Sequence, residues 1–77
     1  MPISVKLFAS LREQVPDAAR EVEGEGLRTV ADVWRAATNG APLPEHVLCS
    51  VNLDHRGAND PVHDGDEVAF FPPVTGG

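Results

Sequence analysis

A single helical segment, with strand-like segments on both sides, is the feature that most restricts the folds open to this chain of 77 residues. Thr29 is a good N-cap residue, and Asp32 follows three positions later, near the positive end of the helix dipole. Asn39-Gly40 ends the segment. Four apolar residues between these signals follow helical spacing: Val30, Val33, Trp34 and Ala37. A helix with one apolar face needs a surface to pack against, and the rest of the chain predicts a sheet.

Two strands are predicted before the helix. Residues 3–9 alternate between the two sides of a strand, which indicates one buried face. A connection follows, with a short helical turn at 11–15 that Pro16 stops. Residues 19–23 predict a second, weakly signalled strand before a Gly-rich turn.

Two more strands are predicted after the helix. Residues 47–53 form the third candidate and 67–71 the last, with a turn signal at Asp64-Gly65 just before it. Residues 54–61 are polar and we interpret them as a turn. The order strand, strand, helix, strand, strand predicts one α+β domain.

The charge balance argues against nucleic acid as a ligand. The formal net charge is −6, from twelve acidic and six basic residues. Nucleic-acid affinity depends on clustered Lys and Arg side chains, and here the basic residues are scattered along the chain. An acidic surface favours either simple solubility or attraction to basic protein partners.

A reducing, cytoplasmic setting fits the sequence best. Cys49 is the only cysteine, so no internal disulfide can form. It falls in an apolar strand, and we interpret it as a core residue and not as a nucleophile. No run of apolar residues is long enough to span a membrane, and the first residues do not have the pattern of a signal peptide.

No catalytic or cofactor-binding constellation is predicted. The three histidines and Cys49 lack metal-ligand spacing, and no phosphate-binding loop is present. Asp64-Gly65-Asp66-Glu67 is better explained as a solvated turn than as a cation site, because three carboxylates alone hold a hard cation weakly. We therefore expect this chain to bind no cofactor and no metal by itself.

The sequence ends in Gly76-Gly77 after Pro72-Pro73-Val74-Thr75. Two glycines leave the terminal carbonyl unobstructed, and Pro72-Pro73 favours an extended start. Residues 72–77 would reach about 20 Å when extended. We expect the Gly77 carboxylate to be the reacting group, after activation by a partner that supplies the ATP site.

An aromatic surface is predicted beside this tail. If Val68 and Phe70 face the helix, Phe71 must face outward, and the alternation in the first strand likewise turns Phe8 outward. If the first and last strands are neighbours, Phe8 and Phe71 form one exposed patch of the kind found at protein interfaces. The alternative is that both rings pack beneath the 10–18 or 54–63 loop.

Residues 64–77 resemble the C-terminal signature of the molybdopterin synthase small-subunit family. The segments 5–9, 11–13 and 51–52 are similar to the same family, so the resemblance spans the chain. It implies a β-grasp, ubiquitin-like fold with a mixed sheet of four to five strands and one main helix. Residues 1–71 would form this domain, and residues 72–77 a flexible, extended tail.

The resemblance also implies a function as a sulfur carrier that is not catalytic alone. A ubiquitin-activating-like adenylyltransferase would use ATP and Mg²⁺ to adenylate Gly77, and sulfuration would give a thiocarboxylate. The tail, Pro72 to Gly76, would insert into the large catalytic subunit, in a heterotetramer of two small and two large subunits. There the sulfur would pass to precursor Z. Phe8 and Phe71 fall on positions that the family uses for contact with its partner.

The sequence departs from the family after Val51-Asn52. Many relatives continue with a polar pair and then an apolar interface residue, whereas this chain has Leu53-Asp54-His55-Arg56. Either Leu53 makes the contact or this edge of the interface is more polar. Two other functions remain open: sulfur delivery for thiamine or another thiometabolite, and ubiquitin-like modification of proteins through Gly77.

Overall fold

The structure is a computed structural model that describes residues 2–73. Its elements, in chain order, are β1 (Pro2–Leu7), α1 (Ser10–Gln14), β2 (Glu21–Glu23), α2 (Val30–Ala37), β3 (Leu48–Val51), β4 (Asp54–Arg56) and β5 (Glu67–Phe71). The four predicted strands, the helical turn and the main helix are all present. In the described part of the chain, neither helix is long and apolar enough to cross a membrane.

The five strands form one mixed sheet in the order β2-β1-β5-β3-β4. The two central strands, β1 and β5, are parallel, and every other neighbouring pair is antiparallel. The segment that contains α2 therefore connects the β1–β2 pair to the β3–β4 pair and leaves the helix on one face of the sheet. This is the β-grasp arrangement, and the predicted α+β fold class is confirmed.

The strand β4 corrects the interpretation of residues 54–61 as a turn. Residues Asp54–Arg56 pair with β3 in an antiparallel hairpin at the edge of the sheet. Its connection is Asn52-Leu53, and both residues have positive φ, 51° and 73°. Such two-residue turns usually carry glycine at the second position. Here that position is leucine, so the usual sequence signal of a hairpin is absent. All three strand residues are polar and exposed, as at many sheet edges, so no apolar alternation marks the strand.

The core lies between α2 and the sheet. The four apolar residues predicted on the helix are all buried, at 5% exposure or less. The sheet supplies Ile3, Val5, Val68 and Phe70, and the Phe70 ring packs edge-on against Trp34 at a centroid distance of 4.9 Å. Two neighbouring parallel strands thus place their apolar faces against a single helix. One helix is therefore enough to cover the apolar face at the centre of the sheet.

Cys49 belongs to this core, as its sequence environment predicted. Its side chain is 3% exposed, and burial raises the pKa of the thiol to about 11. Because the thiolate is the nucleophilic form, a thiol with so high a pKa is a poor nucleophile at neutral pH.

A capping box fixes the start of α2, as Thr29 and Asp32 predicted. The Asp32 N–H donates to Thr29 Oγ1 at 3.3 Å, and the Thr29 N–H donates to Asp32 Oδ2 at 3.1 Å. The Arg28 N–H also donates to Asp32 Oδ2, at 3.0 Å. These N–H groups, from Arg28 first and Thr29 second, lower the pKa of Asp32.

We expect Asp32→Asn to remove a pH-dependent part of the stability. A carboxyl whose pKa is lower when folded stabilises the protein above its unfolded pKa, and this contribution is lost as pH falls through the folded pKa. The variant should lose up to about 1 kcal/mol at pH 7 and show a flatter acid limb in urea unfolding between pH 7 and 2. Asp17→Asn, an exposed carboxyl, is the matched control. Equal acid limbs for wild type and Asp32→Asn would contradict the assignment.

Candidate docking surface

The sheet face opposite α2 carries the residues that the sequence predicted for partner contact. Alternation along the strands places one row of side chains across this outer face, through the register pairs Lys6↔Ala69, Ala69↔Ser50 and Ser50↔His55. Ala69 and Ser50 are 7% and 8% exposed although no helix covers them. Larger neighbouring side chains on the same face therefore cover these two small ones.

The next positions along the sheet form an apolar surface. Leu48 on β3 lies opposite Phe71 on β5, on the same outer face. Phe8 follows directly after β1, and its N–H donates to the Phe70 carbonyl at 3.1 Å, which places it beside the end of β5. Phe8 is 48% exposed and Leu48 38% exposed, while Phe71 is half-buried. We call Phe8, Leu48, His55 and Phe71 the outer-face patch.

The predicted positions of Phe8 and Phe71 are confirmed, whereas their role in partner contact stays a prediction. β1 and β5 are neighbours, so both phenylalanines lie near the same end of the central strand pair. Phe8 is not packed beneath a loop. Phe71 is half-buried and its ring contacts that of a residue within 54–63, so the alternative of cover by this segment holds in part for Phe71, although the covering residue lies in a strand.

That residue is His55, which sequence reasoning could not place. Its ring contacts the Phe71 ring edge-on, with a centroid distance of 5.8 Å and an interplanar angle of 69°. Leu53, considered from the sequence for partner contact, lies in the β3–β4 turn and is 85% exposed. Once β4 is recognised, the pairing Ser50↔His55 predicts the outer face for His55. The missed strand is thus the reason why the residue was missed.

A tight turn holds Phe8 at the end of β1. The Leu11 N–H donates to the Phe8 carbonyl at 3.2 Å, and Ala9 between them has φ 53° and ψ −133°. This conformation is uncommon for a residue with a Cβ atom. Leu11 anchors the far side of the turn, because it is 2% exposed in the core. The turn therefore ends the strand at a fixed point and leaves Phe8 on the surface.

Asn52 ties the β3–β4 turn to the start of β5. Its N–H donates to the Glu67 carbonyl at 2.8 Å, and its Oδ1 accepts from the Glu67 N–H at 3.0 Å. Its Nδ2 donates to Asp66 Oδ1 at 2.9 Å. These three bonds fix the hairpin relative to β5, and so they also fix His55 beside Phe71.

The acidic segment 64–67 is used for internal contacts. Asp66 accepts from Asn52 and also from the His63 N–H, at 2.8 Å, while Glu67 pairs with Lys6 at 3.2 Å. The predicted turn is therefore present, but internal hydrogen bonds and an ion pair hold it, which the interpretation as a solvated turn did not include. Within residues 2–73 the structure brings no three His, Cys, Asp or Glu side chains together in a way that could hold a metal ion.

The segment predicted to be the tail begins next to the outer-face patch. β5 ends at Phe71, Pro72 is half-buried and Pro73 is exposed. The other predicted tail residues, Val74, Thr75, Gly76 and Gly77, lie outside the described residues. The boundary between a domain at 1–71 and a tail at 72–77 therefore stays a prediction, as does the reactivity of Gly77.

Comparison with known proteins finds related sequences over nearly the full length of this chain. Residues 5–77 match the model of the ThiS family. The chain is 42% identical to the molybdopterin synthase sulfur carrier subunit of Escherichia coli and 36% identical to that of Haemophilus influenzae, in both cases over 97% of this chain and 99% of the relative.

An archaeal protein gives both a sequence and a structural match. Small archaeal modifier protein 1 of Haloferax volcanii is 31% identical over 94% of this chain and 97% of the relative. Its crystal structure superposes with a TM-score of 0.73 and 29% identity over the full length of both chains, and a second crystal structure gives a TM-score of 0.71. These neighbours agree with the β-grasp arrangement of the sheet.

Proposed function

Because this chain belongs to the ThiS family, we propose that it is the sulfur carrier of a molybdopterin synthase, with sulfur held on the carboxyl group of Gly77. The observation that carries the proposal is the similarity, over nearly full length, to two proteins named as molybdopterin synthase sulfur carrier subunits. The chain itself supplies the reacting terminus and a docking surface, and partner proteins supply the catalysis.

The proposed chemistry starts from an unreactive group. The Gly77 carboxylate attacks the α-phosphate of ATP on a ubiquitin-activating-like adenylyltransferase, with Mg²⁺ on the phosphates, and pyrophosphate leaves. Hydrosulfide, delivered by a sulfur donor, then attacks the acyl carbon, AMP leaves, and the product is a thiocarboxylate. The soft sulfur attacks a carbon of precursor Z on the large catalytic subunit, a C–O bond at that carbon breaks, and hydrolysis of the resulting thioester leaves the sulfur on the product and returns the Gly77 carboxylate. Two carriers, in an assembly of two small and two large subunits, supply the two sulfurs of the dithiolene.

We propose separate roles for the folded domain and for the tail, and the position of the outer-face patch supports this. The outer-face patch is apolar except at His55, is exposed at Phe8 and Leu48, and ends where the proposed tail begins. Patches of this kind commonly mark interfaces, and aromatic side chains in them often supply much of the binding energy. We propose that the patch docks on each partner in turn while residues 72–77, about 20 Å long when extended, reach the active site. Both steps would take place in the cytoplasm.

Modification of other proteins is the second candidate function. The relative from Haloferax volcanii, named a modifier protein, favours it. Joining Gly77 to a lysine amine would use the same acyl-adenylate, so the two functions share their first step. Sulfur delivery to thiamine or another thiometabolite would share the thiocarboxylate as well and differ only in the acceptor.

Intact mass spectrometry tests the proposal. We expect the chain, expressed with the adenylyltransferase and a sulfur source, to gain the mass difference between one sulfur and one oxygen. Addition of the large subunit and precursor Z should return the mass to that of the carboxylate and yield molybdopterin. Conjugates to lysines without a thiocarboxylate would instead support the modifier function, and discharge only to a thiazole-forming enzyme would support thiamine synthesis.

A further inference from the structure

We propose that the imidazole of His55, at the edge of the outer-face patch, forms a hydrogen bond with the docked partner and so selects which partners can bind. The partner surface opposite His55 would then carry a hydrogen-bonding group and not an apolar side chain. This inference rests on the proposed function, because it assumes that the large subunit docks on the patch.

The position of His55 is set by the backbone. β4 pairs with β3 in a fixed register, and Ser50↔His55 lies on the same outer face as Ala69. The small Ser50 and Ala69 side chains leave room for the imidazole to reach Phe71, with ring centroids 5.8 Å apart. A partner that covers Phe71 must therefore cover or closely approach His55.

The imidazole nitrogens are available for a partner. Among the hydrogen bonds and ion pairs of the described residues, none involves the His55 side chain, and the residue is exposed. Its neighbours along β4, Asp54 and Arg56, alternate to the other face and form an ion pair with each other at 3.7 Å. A neutral imidazole has one N–H donor and one acceptor nitrogen, and in an exposed side chain both can be reached by water or by a partner.

Docking changes the surroundings of these nitrogens. A partner with an apolar side chain at this point would remove water without replacing its hydrogen bonds, which disfavours the complex. A partner with a hydroxyl, amide, carboxylate or free backbone group there would replace them. His55 thus favours one class of partner surface and rejects another, a role that a purely apolar patch does not have.

Calorimetric titration of the large subunit with His55 variants tests this inference. We expect His55→Leu to weaken binding about tenfold although it makes the patch more apolar, because it removes a hydrogen bond of ordinary strength. His55→Gln, which keeps a donor and an acceptor on a side chain of similar reach, should stay within about threefold of wild type. Equal or tighter binding by His55→Leu would overturn the inference.

Matched controls separate this inference from the proposed function. His63→Leu and His63→Gln make the same changes at a histidine that is 79% exposed before β5, at the other end of that strand from Phe71, and should leave the affinity unchanged. Thermal melts of all four variants show whether the fold is intact. If wild type binds and Phe71→Ala weakens binding while all His55 variants bind alike, only the role of His55 is wrong. If wild type does not bind the large subunit, the proposed function and this inference both fail.

Discussion

Removing Gly77 should reduce thiocarboxylate formation below detection. The deletion moves the terminal carboxylate back by about 3.5 Å, the length of one extended residue. A displacement of about 1 Å at a reacting centre already costs about 100-fold in rate, so a shift of this size leaves the carboxylate out of reach of the nucleotide. The measurement is intact mass of the truncated chain after incubation with the adenylyltransferase, ATP and a sulfur source.

The fold should survive the same deletion. Every buried side chain of the core that the structure describes lies between Ile3 and Phe70. The melting temperature of the truncated chain should therefore match that of wild type, and it should still compete for the docking site on the large subunit. If the truncated chain were adenylated at the normal rate, the mechanism through the terminal carboxylate of Gly77 would be wrong.

Much of the fold could be predicted because its signals are local. The capping pair Thr29 and Asp32 and the apolar spacing behind them predict α2 without reference to the rest of the chain. The alternation in β1 likewise predicts which of its side chains face the core, and with them the outward position of Phe8. For Phe71 the outward position followed only on the condition that Val68 and Phe70 face the helix, because all four residues 68–71 are apolar.

The parts that could not be predicted depend on contacts between distant segments. β4 has three polar residues and no apolar alternation, and it is a strand because β3 and the Asn52 bonds to the start of β5 hold it there. The place of His55 depends on that pairing. Phe71 is half-buried where its ring contacts His55. Because β4 was not predicted, neither this contact nor the polar edge of the patch could be predicted.

Alanine substitutions at the neighbouring residues Phe70 and Phe71 should have contrasting effects. The first should mainly reduce stability, and the second should mainly reduce affinity for the partner. Phe70 is fully buried and packs on Trp34, so Phe70→Ala should cost about 3–5 kcal/mol of unfolding free energy. A domain of this size has only about 4–12 kcal/mol in total, so this variant should be marginally folded. Urea unfolding followed by Trp34 fluorescence measures the loss.

Phe71 lies one residue further on and faces the other side of the sheet, where it is half-buried against His55. Phe71→Ala should therefore cost only about 1 kcal/mol of stability. Its affinity for the large subunit should fall about 30-fold, as expected for an aromatic anchor near the centre of an interface. An unchanged affinity with a collapsed melting temperature would mark Phe71 as a structural residue. Since the two substitutions delete the same atoms, a different pattern of losses can only reflect the two faces of β5.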